Sequence, residues 1–405
     1  LHRLIRRQRQ MCIRDRFILE KHGLDTVTAI RLIAKALGIS YKRFSMAGLK
    51  DARAVTTQLI SVHDIPPSKI EALSGINKRI IVHSPFTRPF PLRPGMLFGN
   101  HFTITVRKIE FSIDEVKERT SEVVRAINKI GGLPAFYGYQ RFGTVRPNTH
   151  IIGRHILKGD FEAAVMELLA HPYPGEPEHL IELRMKLGET RDFKAALNVF
   201  PRSLSHELIV LNHLAKRPND YIGALRKLPI TIRRLFISAF QSYLFNRFLS
   251  RRLERNLPLK YAVIGDTVAI TTGFQIKNVL EVNEKNIDYV NKKIRNGDMA
   301  VVLDVPGFMT RIREGPQGDI IKEVLAEEGI VLDDFKLRHM PEVAARGTYR
   351  VSCFNPIGLK VKIYDDDANK GFTKVIFEFT LRKGLYATVV LREFMKPEDV
   401  LSAGF

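Results

Sequence analysis

Residues 102–132 leave this chain little freedom in how it folds. Phe102-Thr103-Ile104-Thr105-Val106-Arg107 alternates apolar and polar side chains, the period of a strand with one buried face. Five residues later the period becomes helical. Ser112 and Glu115 form a capping box, and Val116, Val123, Val124, Ile127 and Ile130 fall on the inward side. Gly131-Gly132 ends the run. The upstream chain follows the same logic. Order is expected to begin at Phe17-Ile18-Leu19-Glu20. Asp25 or Thr26 caps a helix bearing Ile30, Ile33, Ala34 and Leu37, and Gly38 stops it. Leu59, Ile60 and Val62, then Arg79–Val82, read as strands. The order strand, helix, strand, strand, helix implies an α+β (mixed α/β) domain. No GxGxxG follows a strand, which excludes a dinucleotide-binding unit of the Rossmann kind.

Beyond about residue 145 a loop-rich middle is expected, with Pro172, Pro174, Gly175 and Pro177 marking a linker-like surface segment. A long helix runs from about Ile232 to Arg255. Arg233, Arg234, Arg247, Arg251, Arg252 and Arg255 decorate it, either as a solvated face or as phosphate contacts. Strands are expected at Tyr261–Ile264 and Ala300–Val305. Near the C-terminus Leu359, Val361 and Ile363 alternate with Lys360 and Lys362. Val375, Phe377, Phe379 and Leu381 alternate again, and Gly384 separates them from Tyr386–Arg392. These last two runs read as an antiparallel hairpin joined by a Lys-Gly turn. Asp365-Asp366-Asp367 is expected to be a solvated turn, since three consecutive acids cannot face one ion and EF-hand spacing is absent.

The 405 residues carry 64 Lys and Arg against 43 Asp and Glu, a formal net charge of +21. That excess favours a polyanionic partner, nucleic acid first, over a generally basic soluble protein. Cys12 and Cys353 are the only cysteines, which excludes a disulfide framework and a zinc site built on thiols alone. So few thiols suit a reducing cytoplasm, and no apolar run is long enough to span a bilayer. With no Trp, any base-stacking platform must use Phe, Tyr, His or Arg. Residues 1–16 are Arg-rich without an amphipathic period. A transit peptide or a basic RNA-binding arm fits such a run, but MCIRDR resembles translated sequencing-adapter read-through. An artefactual or disordered basic tail is therefore expected over 1–16.

Three non-periodic segments concentrate residues that packing does not explain. In Ala47–Gln58, Asp51 sits in a small-residue turn between Lys50 and Arg53, just before a strand. One carboxylate among cations at a strand edge could be a base, a nucleophile or a salt-bridge partner. Pro134–Gly143 places four aromatics, an Arg and two glycines in ten positions. It is either a base-stacking loop or an aromatic satellite core. Arg382–Thr388, with Leu391–Lys396 behind it, is by itself only a basic hairpin.

Together GLKDARAVTTQ, AFYGYQRFG and KGLYATVVLREFMK resemble the signature segments of the TruD family of pseudouridine synthases, in the family's order. Weaker echoes are LEKHGLDTVTAIRLIAKALGI, GNHFTITVR and ISAFQSYLFNRFLSRRL, so the resemblance covers most of residues 17–396. It implies a pseudouridine synthase core with a largely antiparallel sheet flanked by helices, split between 17–145 and 350–405. An inserted TRUD domain would fill 146–349, with the 232–255 helix either part of it or packed on the core. The resemblance also implies tRNA as partner, isomerisation of uridine 13 to pseudouridine, and no cofactor or metal. The family's acid falls on Asp51, and an ionised Asp suits the cationic company of Lys50 and Arg53. Tyr137 matches the aromatic that stacks on uracil, with Phe136 beside it, and Tyr386 matches a second aromatic near the base. Arg141 is a candidate to pair with Asp51 or a phosphate, Arg392 a weaker one, and Lys21 falls at a matching basic position. Gly48, Lys50, Thr56 and Gln58, with Gly138, Gln140 and Gly143, would support the two loops. The family commonly carries Asn where this chain has Ala135. That departure is the one support for an alternative, an RNA-binding chaperone of the same fold that no longer catalyses.

Overall fold

The computed structural model describes residues 14–73, 78–271, 276–400 and 403. Its contacts divide the chain into two compact units, Leu1–Asn100 and His101–Phe405. The first catalytic segment expected over 17–145 is thus shared between both. Cys12 lies outside the described residues.

The first unit is built from β1 (Arg14–His22), α1 (Thr26–Ala36), β2 (Phe44–Met46), β3 (Val55–His63), the short α2 (Pro67–Glu71) and β4 (Ile80–Arg88). Its sheet runs β2-β3-β1-β4, all antiparallel. Phe17 and Leu19 of β1, Ile60 and Val62 of β3, and Ile80 and Val82 of β4 pack against Ile30 and Ile33 of α1. The Asp25 carboxylate caps α1 by accepting from the Thr28 N–H at 2.9 Å. Residues 14–16, expected in the tail, instead lengthen β1 and pair with both neighbours. Asp15 is buried there, and its Oδ2 accepts from the Ile65 N–H.

The second unit begins within β5 (Gly99–Ile109), followed by α3 (Ile113–Ile130) and β6 (Leu133–Pro134). The Ser112–Glu115 capping box and the left-handed Gly131 stand where the sequence places them. The middle is not loop-rich. Six helices fill it: α4 (Thr149–Leu157), α5 (Phe161–Leu169), α6 (Glu178–Thr190), α7 (Phe193–Val199), α8 (Ser205–Leu214) and α9 (Tyr221–Lys227). Asp160, Asp192 and Asp220 cap three of them. These helices are only 7 to 13 residues long, so the prolines and polar caps between them dominate a linear reading. Only the 171–177 stretch is the expected loop.

The long helix α10 (Ile230–Glu254) runs through their core. Next come β7 (Thr267–Ile270), β8 (Lys277–Glu281), α11 (Ile287–Arg295), β9 (Met299–Val305), α12 (Pro316–Glu328), β10 (Thr348–Val351) and β11 (Cys353–Phe354). The chain closes with β12 (Ile357–Asp365), β13 (Thr373–Arg382) and α13 (Ala387–Met395). The sheets order as β10-β9-β7-β8, β12-β13-β5 and β11-β6. Tyr261–Ile264 is not a strand; pairing begins at Thr267. The expected hairpin is also different. β12 pairs with β13, and residues 387–395 form a helix whose Val390 and Phe394 lie one turn apart. A run of β-branched residues suggested strand, but Phe394 meets Phe377 of β13 at 5.0 Å, and that contact selects the helix.

The aspartate triplet is a turn, but Asp366 is not solvated. Its buried carboxylate accepts from Arg107, from the Lys108 and Ala368 N–H groups, and from Asn369. Among the described residues no three His, Cys, Asp or Glu form a metal-holding group, and no helix is long and apolar enough to cross a membrane.

Candidate active site

In the first unit, the chain leaves β2 at Met46 and re-enters the sheet at Val55, and Asp51 projects from the connecting loop with its side chain exposed. The loop is fixed through its backbone. Lys21, on β1 opposite Thr56 of β3, is fully buried. Its Nζ donates to the carbonyls of Leu24 at 2.5 Å, Asp51 at 2.7 Å and Lys50 at 3.2 Å. Burying an ammonium is costly unless its three donors are satisfied, and here three carbonyls replace water. Burial still pulls the Lys21 pKa below its ordinary value, with Asp25 and Asp51 partly restoring it. Lys21 therefore sits beneath the loop with its donors engaged, not on a face that RNA could touch.

Thr26 is the second anchor. Its Oγ1 accepts from the Lys50 N–H at 2.9 Å and donates to Gln58 Oε1 at 3.2 Å. Gln58 thus braces the loop through Thr26. The Gln58 Nε2 and Thr56 Oγ1 atoms are buried without a partner among the described residues. Lys50 turns back, and its Nζ donates to Asn100 Oδ1. Burial lowers its pKa, against the opposing pull of Asp51. Gly48 lies in ordinary space: a Cβ there would meet only Leu97, at 4.0 Å.

In the second unit, the aromatic loop and the segment before α13 come together. The Tyr137 and Tyr386 rings lie 6.3 Å apart, edge to face, and Phe245 of α10 meets Tyr137 at 5.5 Å. Asn246 clamps the Tyr137 backbone from both sides. Its Oδ1 accepts from the Tyr137 N–H at 2.8 Å, and its Nδ2 donates to the Tyr137 carbonyl at 3.0 Å. Gly138 is closely approached by Tyr386 and Thr388: a Cβ there would meet the Tyr386 ring and Thr388 Oγ1 at 3.1 Å. Gly143 holds φ +105°, and a Cβ there would lie 2.1 Å from the Arg146 carbonyl oxygen. Phe136 is half-buried and packs with Tyr137 against Phe245 and Leu249; Gln140 is exposed.

Arg141 donates from Nε to Ser242 Oγ at 3.1 Å, and its guanidinium lies 5.8 Å from the Tyr137 centroid. Arg392 lies over Tyr139 instead, at 5.4 Å. Burial raises the Tyr386 pKa, against the opposing influence of Arg350 and Arg141. Ala135 is fully buried. Its N–H donates to the Ser352 carbonyl at 2.9 Å, and its carbonyl accepts from Arg350.

Sequence reasoning missed Arg350 and did not give Asn246 a role. The Arg350 guanidinium stands 4.2 Å from the Tyr137 centroid. It donates to the carbonyls of Ala135 at 2.7 Å, Gly384 at 2.8 Å and Phe136 at 3.4 Å. One planar cation thus ties the aromatic loop to the turn before Tyr386 and stacks on the central ring. Arg350 lies in β10, in the stretch Thr348-Tyr349-Arg350-Val351, which has no motif character. A cleft of about 400 Å³ opens beside it, lined by Tyr137, Tyr349, Arg350, Asn355, Arg382 and Lys383 among others, with no acid among the described residues that line it.

Most arginines on and just after α10 are engaged by acids: Arg233 pairs with Glu342, while Arg234 is exposed. Arg247 and Arg251 pair with Glu327, Arg247 also with Glu328, and Arg255 with Glu323, all on α12. Arg252 is fully buried in a bidentate pair with Asp266, both bonds at 2.7 Å.

The family model described as tRNA pseudouridine synthase D (TruD) matches residues 13–394. A Methanopyrus kandleri protein named "Probable tRNA pseudouridine synthase D" is 40% identical over 385 residues, covering 95% of this chain and 86% of its own. One of the same name from Thermococcus onnurineus is also 40% identical, over 94% of this chain and 88% of its own. A crystal structure of a Methanosarcina mazei protein described as "Putative tRNA pseudouridine synthase D (TruD)" superposes with a TM-score of 0.83 at 37% identity. It covers 95% of this chain and 88% of that one.

Proposed function

Because the chain belongs to the TruD family of pseudouridine synthases, we propose that it converts uridine 13 of tRNA to pseudouridine, with Asp51 as the nucleophile and no cofactor. The observation that carries this reading is the setting of Asp51: an exposed carboxylate on a loop whose backbone is pinned from below by a buried ammonium. Such a side chain can meet a substrate without moving its own support. That is the condition for an oriented attack.

The target nucleotide leaves its stack so that its glycosidic bond is accessible. As nucleophile, the Asp51 carboxylate bonds ribose C1′ as the C1′–N1 bond breaks, and it leaves C1′ again when C5 attacks; as base, it takes the C2′ proton as N1 departs and returns it when C5 bonds C1′. The uracil turns and rejoins through C5, and the C5 proton is released as N1 regains one, so the product is an isomer of the substrate. Tyr137 stacks on the uracil. Arg350 occupies one face of that ring and Asn246 fixes its backbone, so the ring is set in place before the base arrives. Tyr386 closes the edge, Phe136 backs the platform, and Arg141 holds a phosphate or the substrate's polar rim. Lys21, Thr26 and Gln58 act through the loop.

The non-catalytic alternative rests on Ala135. That residue lies in an apolar cluster with both backbone polar groups bonded, a place that suits an alanine side chain. The test is position-specific pseudouridine detection on a tRNA transcript, with wild type and Asp51→Asn. Wild type should modify position 13, and the variant should bind tRNA equally while leaving the uridine intact. Modification by Asp51→Asn at the wild-type rate would remove Asp51 from the chemistry.

A further inference from the structure

Residues 72–100 contain Lys78, Arg79, Arg88 and Arg93 but no Asp or Glu. The same stretch leaves Phe90 52% and Met96 48% exposed. The pairing of β4 explains how part of this surface comes to face outward. Leu19 lies opposite Val82 and Ile18 opposite His83, yet Arg16 lies opposite Phe86, so β4 carries one extra residue there. Ser84, inside this bulge, has φ 46°, a conformation unusual for a residue with a side chain. A one-residue slip exchanges the two faces of a strand. Thr87 therefore stands opposite buried Asp15, while Phe86 and Arg88 are turned to the face that carries Arg16.

On that face two guanidiniums lie over two rings. Arg88 is 5.4 Å from the Phe86 centroid and Arg16 is 5.3 Å from that of Phe90. Arg16 is only 9% exposed. One Nη donates to the Phe90 carbonyl at 3.0 Å, but its Nε is buried without a partner among the described residues. The acids on β1 do not neutralise the pair: Asp15 is buried and bonded to the Ile65 N–H, and Glu20 is engaged by His22 and His83. Among the described residues no acid pairs with Arg16 or Arg88, and exposed apolar surface lies beside them, a chemistry that suits an anion with flat apolar faces.

We propose that this face of the first unit, centred on Arg16, Phe86, Arg88 and Phe90 with Arg93 and Met96 beside it, binds an unpaired stretch of the RNA substrate. Arg88 and Arg93 contact phosphates, and bases stack on Phe90. A duplex would present its backbone but not its base faces, so the exposed ring selects unpaired nucleotides. The loop after β4 also touches the Asp51 loop: the Gly95 N–H donates to the Ala47 carbonyl at 2.7 Å, and Asn100 holds Lys50. RNA seated on this face therefore bears on the loop that presents Asp51. The inference rests on the tRNA-modifying reading above and names where that site takes hold of its substrate.

The test is fluorescence anisotropy of the full chain with an unmodified tRNA transcript over a range of salt, with Phe90→Ala, Phe90→Tyr and the double variant Arg88→Ala/Arg93→Ala. Phe90→Ala should weaken binding roughly five- to tenfold, the loss expected for one stacked base, and Phe90→Tyr should preserve it. The double variant should flatten the slope of log K against log salt by about one to two. An oligouridine of about twelve nucleotides should compete with the same dependence on Phe90, and a blunt duplex should not. Affinity and salt slope within twofold of wild type in all variants would overturn the proposal, as would equal sensitivity of the duplex to Phe90→Ala. Pseudouridine formation by wild type is scored in parallel. If it is absent while Phe90→Ala still weakens RNA binding, the catalytic reading fails and the surface stands; the reverse result sinks the surface alone.

Discussion

Replacing Lys21 with Met isolates the anchor under Asp51 while keeping side-chain length and an apolar stem. Three bonds from an ammonium to carbonyls are lost, each contributing about 1.5–3 kcal/mol when charge-assisted. Against this, the variant no longer buries a charge, which returns several kcal/mol. The Leu24, Lys50 and Asp51 carbonyls lose a shared donor, but those at the exposed loop rehydrate. The net weakening of the loop is about 2–4 kcal/mol, or roughly a thirty- to thousandfold rise in its opening constant. The Lys50 amide, bonded to Thr26 Oγ1 at 2.9 Å, is the natural reporter. Its hydrogen exchange should accelerate by that factor while amides of α1 keep their protection. If the loop orients Asp51, kcat should fall about a hundredfold with KM within a few-fold, since misplacing a reacting group by about 1 Å costs that much. A Lys21→Met chain whose Lys50 amide exchanges at the wild-type rate, and which isomerises uridine within threefold of wild type, would refute the anchoring argument.

Arg350→Lys should loosen the aromatic platform, because an ammonium cannot stack on Tyr137 and reach three carbonyls at once; we expect a loss of about 2–3 kcal/mol in transition-state stabilisation, read from kcat/KM, with unchanged tRNA affinity in Asp51→Asn/Arg350→Lys. Arg252→Met should destabilise the second unit by about 3–5 kcal/mol by leaving Asp266 buried and unpaired, and Arg252→Met/Asp266→Asn should recover much of it in a urea-unfolding cycle. His150, half-buried between Phe142 and Tyr243, has its pKa lowered to about 4 by burial. Between that value and about 6.5 the unfolded chain binds a proton the folded one does not, so stability should fall as pH drops through this window, and His150→Phe should flatten the slope in melts at pH 4.5 and 7. Asp366 has a folded pKa held well below the ordinary Asp value: burial pushes it up, but Asn369, the Lys108 and Ala368 N–H groups and Arg107 outweigh that. Its contribution is present above the unfolded value and is lost as pH falls below it, so Asp366→Asn should erase that part of the acid sensitivity of the β5 end.

Much of the local structure could be read directly because its determinants are neighbours in sequence. The capping box at Ser112 and the left-handed Gly131 bound α3 within a few residues of the expectation, and period-two alternation located β5, β12 and β13. Where the reading failed, the deciding contact was distant. Residues 387–395 carry strand-forming side chains but meet β13 as a helix, and the six middle helices pack with one another and with α10 into one core.

The same division runs through the site. From the order of residues alone it follows that a lone carboxylate stands among cations before a strand, that an aromatic loop follows a capped helix, and that the chain is basic enough to seek a polyanion. Composition and local order suffice for each of those statements. What holds them in place comes from contacts between distant segments. The tertiary structure placed Lys21 under the Asp51 loop from 30 positions away and set Asn246 across the Tyr137 backbone from 109 away. It stacked Arg350 on a ring more than two hundred residues earlier in the chain. It also paired Arg247 and Arg251 of α10 with Glu327 and Glu328 of α12. Buried charges and backbone clamps leave no periodic trace in a sequence, because their partners are chosen by the packing of whole elements rather than by spacing along the chain.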